Sequence, residues 1–405
     1  MGYIDNRSEN RFAFKMYDGI HQFEPLLPTL PQPALEQLAV DVAAEGRALK
    51  LLNPASERRL AELLRGVNSY YSNRIEGQHT HPRDIERALK RDFDEKPDKA
   101  RLQRLAVAHI ETQQEMEAWI AADPALSVYS AAFLQRLHAS FFGKLRPEDR
   151  RTKEGDEVVP GELRTRDVTV GKHVAPDWHK VSEFLARAEG VYASAGGTAR
   201  QLIAVACAHH RLAWVHPFLD GNGRVLRLQS QAALLRQGAG SGLWAVSRGF
   251  ARDVETYYAA LDEADQKRRG DLDGRGNLSE AGLVAFAGYF LGTCLDQIRF
   301  MSSLLQLGEL RARMRAYLKL RAEVDPIVRV EAEPALHHVL LAGEVKRGEF
   351  KRMTGLGDRT ADKAIAGLLK AGLLVSDTPK GPVSIGLPLD ALAHYFPRLY
   401  PEAAG

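Results

Sequence analysis

Twelve consecutive residues, His216-Pro-Phe-Leu-Asp-Gly-Asn-Gly-Arg-Val-Leu-Arg227, constrain this chain more than any other stretch. Gly221 and Gly223 make it a loop running into a helix N-terminus, where the backbone can approach a ligand closely. The first-turn amides of such a helix have no intrahelical acceptor and form a nest for an anion. Arg224 and Arg227 are three apart, hence on one helical face, and reach the same polyanion. Asp220 adds a carboxylate beside the nest, where a hard cation bridging phosphates would sit. His216 supplies a group that titrates near neutrality. Each fragment alone has an ordinary reading: a turn, a solvated arginine pair, a structural histidine. Together and in this order they describe a site for nucleotide phosphoryl or nucleotidyl transfer.

The 405 residues suffice for two or three domains of about 100–200 residues. Charged residues at 26% and apolar ones at 45% exclude disordered, collagen and coiled-coil classes. A formal charge of +3 compels neither a nucleic acid nor a membrane as partner. Pro25, Pro28, Pro31 and Pro33 impose an extended lead-in. Beyond it Leu60, Leu64, Val67, Tyr71 and Ile75 line one face of a helix that Gly77 ends. Further helices are expected near 101–122, 128–142, 179–195, 198–213, after 221, and at 251–265 and 280–320. Between Gly161 and Gly171 the alternation from Leu163 to Val170 predicts a small hairpin. From Pro326 the texture changes to helices at 335–341, 348–353 and 360–371, then strands at 373–376 and 383–385. That is the order of a winged helix-turn-helix, with 360–371 in the recognition-helix position.

Cys207 and Cys294 make no disulfide framework and no CxxC pair, and read as buried, reduced side chains. The N-terminal start is charged where a signal peptide needs apolar residues, and Asn6 breaks the Gly2 myristoylation pattern. With no run of about 20 apolar residues, a cytoplasmic chain without a membrane partner is expected. Asp271 to Asn277 has the look of a calcium loop, but Arg275 stands at a ligand position, so a polar loop before a helix capped near Ser279 is the better reading. His209, His210 and His216 lack the spacing of a zinc site.

His216 to Arg227 resembles the full signature of the Fic (Fic/DOC) family, HPFxDGNGRxxR, with every specified position filled. Ala208-His-His-Arg-Leu-Ala-Trp-Val ahead of it and Tyr257-Tyr258-Ala-Ala-Leu after it extend the likeness over roughly residues 25–300. The resemblance implies an all-α fold: a Fic helical core at 125–310 with a β-hairpin flap, preceded by a helical region at 1–124. The winged helix-turn-helix at 325–400 follows. It implies transfer of AMP from ATP to a Ser, Thr or Tyr hydroxyl of a protein target, with Mg²⁺ as cofactor. His216 would be the general base and Asp220 would hold Mg²⁺. Gly221, Asn222 and Gly223 would cradle the phosphates, with the Asn222 side chain on the α-phosphate, and Arg224 and Arg227 would hold the β- and γ-phosphates. Tyr257 and Tyr258 would border the adenine, with Asp265 near a place where the family often has Asn. Arg164, Val168 and Val170 would lie on the flap that aligns the target by strand addition.

Ser72-Asn-Arg-Ile-Glu76-Gly77 resembles the family's inhibitory motif, [ST]xxxE[GN], in its N-terminal version. Ser72 and Glu76 are four apart and face one way. The resemblance implies that Glu76 pairs with Arg227 and denies it to the γ-phosphate. Two other readings stay open: a nucleotide-sensing DNA-binding regulator, and a Fic enzyme that removes AMP or transfers another phosphate-containing group. The tail from Asp325 has ten basic and ten acidic residues, yet 346–370 carries a local excess of four positive charges. Whether it binds DNA or protein is left open. Homodimerisation and self-modification, for instance at Tyr70 or Tyr71, are left open too.

Overall fold

The computed structural model describes residues 17–50, 53–240 and 242–400; the charged start read above lies outside them. Pro25, Pro28 and Pro31 keep the lead-in extended, and Pro33 opens α1 (Pro33–Ala48) at the position where a missing N–H is harmless. Helix α2 (Pro54–Ile75) buries Leu60, Leu64, Val67, Tyr71 and Ile75, the face that their spacing predicts. It is followed by α3 (Pro82–Leu89), α4 (Pro97–Ala122) and α5 (Ala131–Gly143). The hairpin β1 (Thr169–Val170) and β2 (His173–Val174) pairs Thr169 with Val174 and Val170 with His173. Next come α6 (Val181–Tyr192), α7 (Thr198–Val215), α8 (Asn222–Arg236), α9 (Val246–Arg252) and α10 (Val254–Ala264). Two long helices, α11 (Glu280–Leu304) and α12 (Leu307–Val324), lead to α13 (Glu333–Ala342), β3 (Glu344–Val345), α14 (Arg347–Thr354) and α15 (Asp358–Lys370). Strands β4 (Leu374–Val375) and β5 (Val383–Ile385) and helix α16 (Leu389–Tyr395) end the described chain.

Helix α7 is the axis of the fold. Nearly every side chain from Leu202 to Val215 is buried, packed among α1, α6, α8 and α11. Among the described residues α11 is the helix long and apolar enough to cross a membrane, with a mean hydropathy of 1.3. Thr293, Asp296 and Gln297 interrupt it, and 56% of its apolar window is buried against neighbouring helices, as in a core helix.

Several expected elements change shape. The helix expected at 251–265 is two, because Asp253 ends α9 and its carboxylate caps α10 by accepting from Thr256 N–H at 3.0 Å. The one expected at 280–320 breaks after Leu304. The hairpin is displaced. Gly171, at φ +61°, is the turn rather than the end, and 163–168 forms no strand. Elements α1, α3, β3 and α16 were not expected.

The three-stranded antiparallel sheet, in the order β3-β5-β4, packs with α13 to α15, and this unit meets α2 through α13 and β5. Asn53, the N-cap of α2, accepts from Ala55 N–H at 2.8 Å and donates to the Ala342 carbonyl at 2.7 Å. Ser56 donates to Leu340 at 2.6 Å, and at the other end Tyr71 donates to Leu399 at 3.0 Å. One continuous apolar core therefore runs from the helical body into this C-terminal unit. Asn53→Ala removes a cap and a tertiary bond together and should lower unfolding stability by about 1–2 kcal/mol in a urea titration. An unchanged midpoint would contradict this account of the docking.

Candidate active site

The loop between α7 and α8 is shaped by few contacts. His216 ends α7 in the left-handed region, at φ +49°, which a non-glycine residue adopts only when its surroundings enforce it. Arg164 supplies the enforcement. Its Nε donates to the His216 carbonyl at 2.9 Å, its Nη1 to Arg166 O at 3.0 Å, and its Nη2 to the Pro176 carbonyl. Its own N–H donates to Pro217 O at 2.9 Å. Asn222 closes the loop from the other side, accepting from Phe218 N–H at 2.9 Å and donating to Phe218 O at 2.8 Å. Gly221 has φ +79°, and a Cβ there would collide with the Phe142 ring. Beneath the loop the His138 ring stacks on Phe218, centroids 4.1 Å apart, and bonds the Asp220 carbonyl at 3.2 Å. Gly161 N–H donates to His138 Nδ1 at 2.8 Å, so His138 Nε2 carries the proton toward Asp220.

Both motif arginines are buried, and both are engaged by the end of α2. Arg227, 1% exposed, donates from Nε to Ser72 Oγ and from Nη2 to Ser72 O, each at 2.9 Å, and from Nη2 to Glu76 Oε1 at 2.6 Å. Arg224 donates to Gln78 Oε1 at 2.8 Å and lies over the Phe141 ring. The Glu76 carboxylate rests on the backbone of Gly223, where any Cβ would strike it. Burial pushes the Glu76 carboxyl up, but Arg227, Arg224 and His216 outweigh it and hold it below the usual carboxylate range.

A cavity of about 500 Å³ opens beside this contact, lined by Glu76, His216, Asn222, Gly223, Arg227, Tyr257 and Tyr258 among others. A second one, of about 570 Å³, adjoins it on the side of Asp220, Gly221 and Arg224. Glu76, Val170, His216, Asn222 and Gly223 line both. Tyr257 is buried and shares a 2.9 Å hydrogen bond with His209, whereas Tyr258 is half exposed and donates to Ile75 O. Val170, 46% exposed, stands at the hairpin turn and Val168 continues its ladder through the Ala175 N–H.

Two expectations are corrected by these contacts. Arg164 is 2% exposed and spends its donors on carbonyls, so it props His216 rather than facing a partner. The Asn222 amide is committed to the loop rather than directed at open space. Sequence reasoning also missed the residues that hold the parts together. His138 is one, and the link from His173 on β2 through Asp265 (3.4 Å) to His210 (3.0 Å) is another. This link ties the hairpin to α7 and lines the cavity. No local pattern marks such pairs.

Asp220 is 40% exposed, with Oδ1 held by the Gly221 N–H at 2.6 Å. No cluster of three or more His, Cys, Asp or Glu side chains able to hold a metal occurs among the described residues. A lone hard oxygen donor beside an anion nest suits Mg²⁺, whose remaining ligands are commonly water and substrate phosphates.

Residues 125–234 match the model of the Fic/DOC family. "Protein adenylyltransferase Fic" of Drosophila willistoni is 31% identical over 117 residues, 29% of this chain and 24% of that protein. The Drosophila persimilis protein of the same name is 32% identical over 117 residues and 23% of its length. The chain thus spans about a quarter of the length of these relatives. A solved Fic family protein from Desulfovibrio desulfuricans G20 shares the fold over 89% of this chain and 98% of its own, at TM-score 0.51 and 18% identity.

Burial, with His173 and Arg164 nearby, pushes the His216 imidazole down to about 4. His138 falls to about 4 and His209 to about 3, both chiefly through burial. A histidine held below its ordinary value takes up its proton later when folded than when unfolded. Its contribution to stability is complete above the unfolded value of 6.5 and declines as pH falls from there toward the folded one. Between pH 7 and pH 5 each fully buried neutral histidine should cost about 2 kcal/mol of unfolding free energy, read from urea midpoints. Equal midpoints at the two pH values would contradict the burial of these rings in their neutral form.

Proposed function

From the match of residues 125–234 to the Fic/DOC family model we propose that the chain is a self-inhibited protein adenylyltransferase. The family-level likeness to Fic adenylyltransferases supports ATP as the substrate. The observation that carries the reading is the position of Glu76. Its carboxylate lies on Gly223 and Arg227, the groups that the signature dedicates to phosphate, with His216 lining the same cavity.

In the proposed reaction the hydroxyl oxygen of a target Ser, Thr or Tyr attacks the α-phosphorus of ATP in line with the departing pyrophosphate. An O–P bond to the target forms and the α–β phosphoanhydride bond breaks. His216, neutral through the physiological range, accepts the hydroxyl proton. Arg164 keeps its imidazole in place by fixing the His216 peptide. The amides at the start of α8 cradle the phosphates, and Arg224 and Arg227 balance the charge that develops on pyrophosphate. Mg²⁺ would be held by Asp220 and would neutralise phosphate charge. Tyr257 and Tyr258 line the side of the cavity suited to the adenosine. The exposed edge at Val170 offers main-chain groups to an extended target segment.

With Glu76 seated, the Nε and Nη2 donors of Arg227 are committed to Ser72 and Glu76, and the carboxylate takes the side of the guanidinium that a γ-phosphate would use. A tethered carboxylate acts at an effective concentration of order mM, enough to compete with free nucleotide. The C-terminal unit is read as a winged helix-turn-helix. Its role as a docking module accords with its contacts to α2.

Glu76→Gly should raise AMP incorporation into the chain itself or into lysate proteins by at least about tenfold, a barrier change near 1.4 kcal/mol. His216→Ala in that background should abolish it. Intact-mass analysis after incubation with Mg-ATP reads both. An unchanged rate in Glu76→Gly would sink the inhibitory reading, and adducts other than AMP would sink the assigned reaction.

A further inference from the structure

A cavity of about 780 Å³ outside the site above is lined by Arg74, Arg248, Arg252, Arg299 and Arg398 against a single acid, Asp296. Arg252 pairs with Asp296 at 3.0 Å and Arg299 with Glu45 at 2.6 Å, all of them partly exposed at the rim. Arg74 and Arg398 make no ion pair and no side-chain hydrogen bond among the described residues. Arg248, 6% exposed, is built into the wall. It donates to Gln297 Oε1 at 2.9 Å and to Arg398 O at 2.8 Å, and stacks 3.7 Å from the Phe300 centroid. Its buried Nε has no acceptor among the described residues. A buried donor left unmatched is costly, and so is a cluster of five guanidinium groups of which only Arg252 and Arg299 have a carboxylate partner. Each cost is relieved by an anion in the cavity. The wall is also open at Gly292, where a Cβ would meet nothing within 4 Å.

We propose that this cavity binds a compact small molecule carrying two or more phosphate groups, at a site separate from that of the transferred nucleotide. Guanidinium groups match phosphate oxygens in pairs, which favours phosphate over a lone carboxylate. The concave shape, walled by α2, α9, α11 and the segment around Arg398, has the size of a small-molecule site rather than a flat protein contact.

The site also touches α2 from behind. At about 100° per residue, Arg74 projects roughly opposite to Ser72 and Glu76, which hold Arg227. An anion bridging Arg74 to α9, α11 and Arg398 therefore clamps the last turn of α2 in its seated position. That this turn is inhibitory rests on the proposed function; the binding itself does not.

The test is calorimetric titration of inorganic tripolyphosphate into the full chain, into Arg224→Ala, and into Arg74→Glu/Arg398→Glu. Arg224→Ala weakens the phosphate nest of the active site without touching this cavity. The expected result is a binding event that survives in Arg224→Ala, weakens at least tenfold in Arg74→Glu/Arg398→Glu, and fades as salt rises. Arg252→Gln, a rim change away from α2 and Arg398, should weaken it as well and serves as the second variant should the double one melt early. No binding by the full chain, loss of all binding in Arg224→Ala, or undiminished binding in the cavity variants would overturn the proposal. None of these readouts depends on catalysis.

Discussion

A guanidinium buried as deeply as that of Arg227 cannot stand without acceptors, and the rest of the site is arranged around supplying them. In this structure the acceptors are Ser72 Oγ, Ser72 O and Glu76 Oε1, all from the last turn of α2. The geometry is economical because Ser72 and Glu76 are one turn apart on a single helix face. Once they are in place, the backbone of Gly223 is covered and the Nε and Nη2 donors of Arg227 are taken. A polyphosphate is the other ligand that could satisfy this cation, so under the proposed function Glu76 and the last phosphate of the nucleotide compete for Arg227.

The position of α2 therefore matters more than that of any other element. It is gripped from three directions: by α4 and α9 of the helical body, by α13 through Asn53 and Ser56, and by the chain end through Tyr71 and the Tyr70–Tyr400 ring pair at 5.4 Å. A helix so wedged does not drift, and moving it requires loosening contacts made far from the nucleotide. The C-terminal unit acquires a mechanical meaning from this arrangement, independent of any nucleic acid. Its sheet and first helix bear on the start of α2, while the chain's end bears on the finish.

What could be read from sequence was the part whose meaning is local. The run from His216 to Arg227 and the Ser72–Glu76 spacing carry their geometry in residue order, so which side chains share a face was legible without coordinates, while the roles proposed for them come from the resemblance to the Fic family. Helix α2, through its apolar periodicity, and α7, through its continuous apolar run, were equally readable. Elsewhere the signal lay in tertiary contacts. Nothing around His138 announces that it will lie under the loop as a neutral prop. Arg164 sits in a polar stretch that resembles a hairpin arm, yet the fold buries it against carbonyls at the end of α7. Some misses did have a signal. Pro33 and Pro82 stand at helix starts, and Asp253 three residues before Thr256 is a cap in the middle of an otherwise helical stretch. Two-residue strands such as β3 are too short for any alternation to register.

The central claim is that Glu76 keeps Arg227 from the last phosphate of ATP, and its most direct test is the preference for ATP over ADP. Calorimetry with the intact chain should find the two nucleotides bound with nearly equal dissociation constants, because the Glu76 carboxylate occupies the side of Arg227 that the extra phosphate would use. In Glu76→Gly the freed guanidinium should favour ATP by about tenfold or more, the worth of one charge-assisted hydrogen bond. An intact chain that already prefers ATP by that factor, or a variant with no preference, would contradict the account.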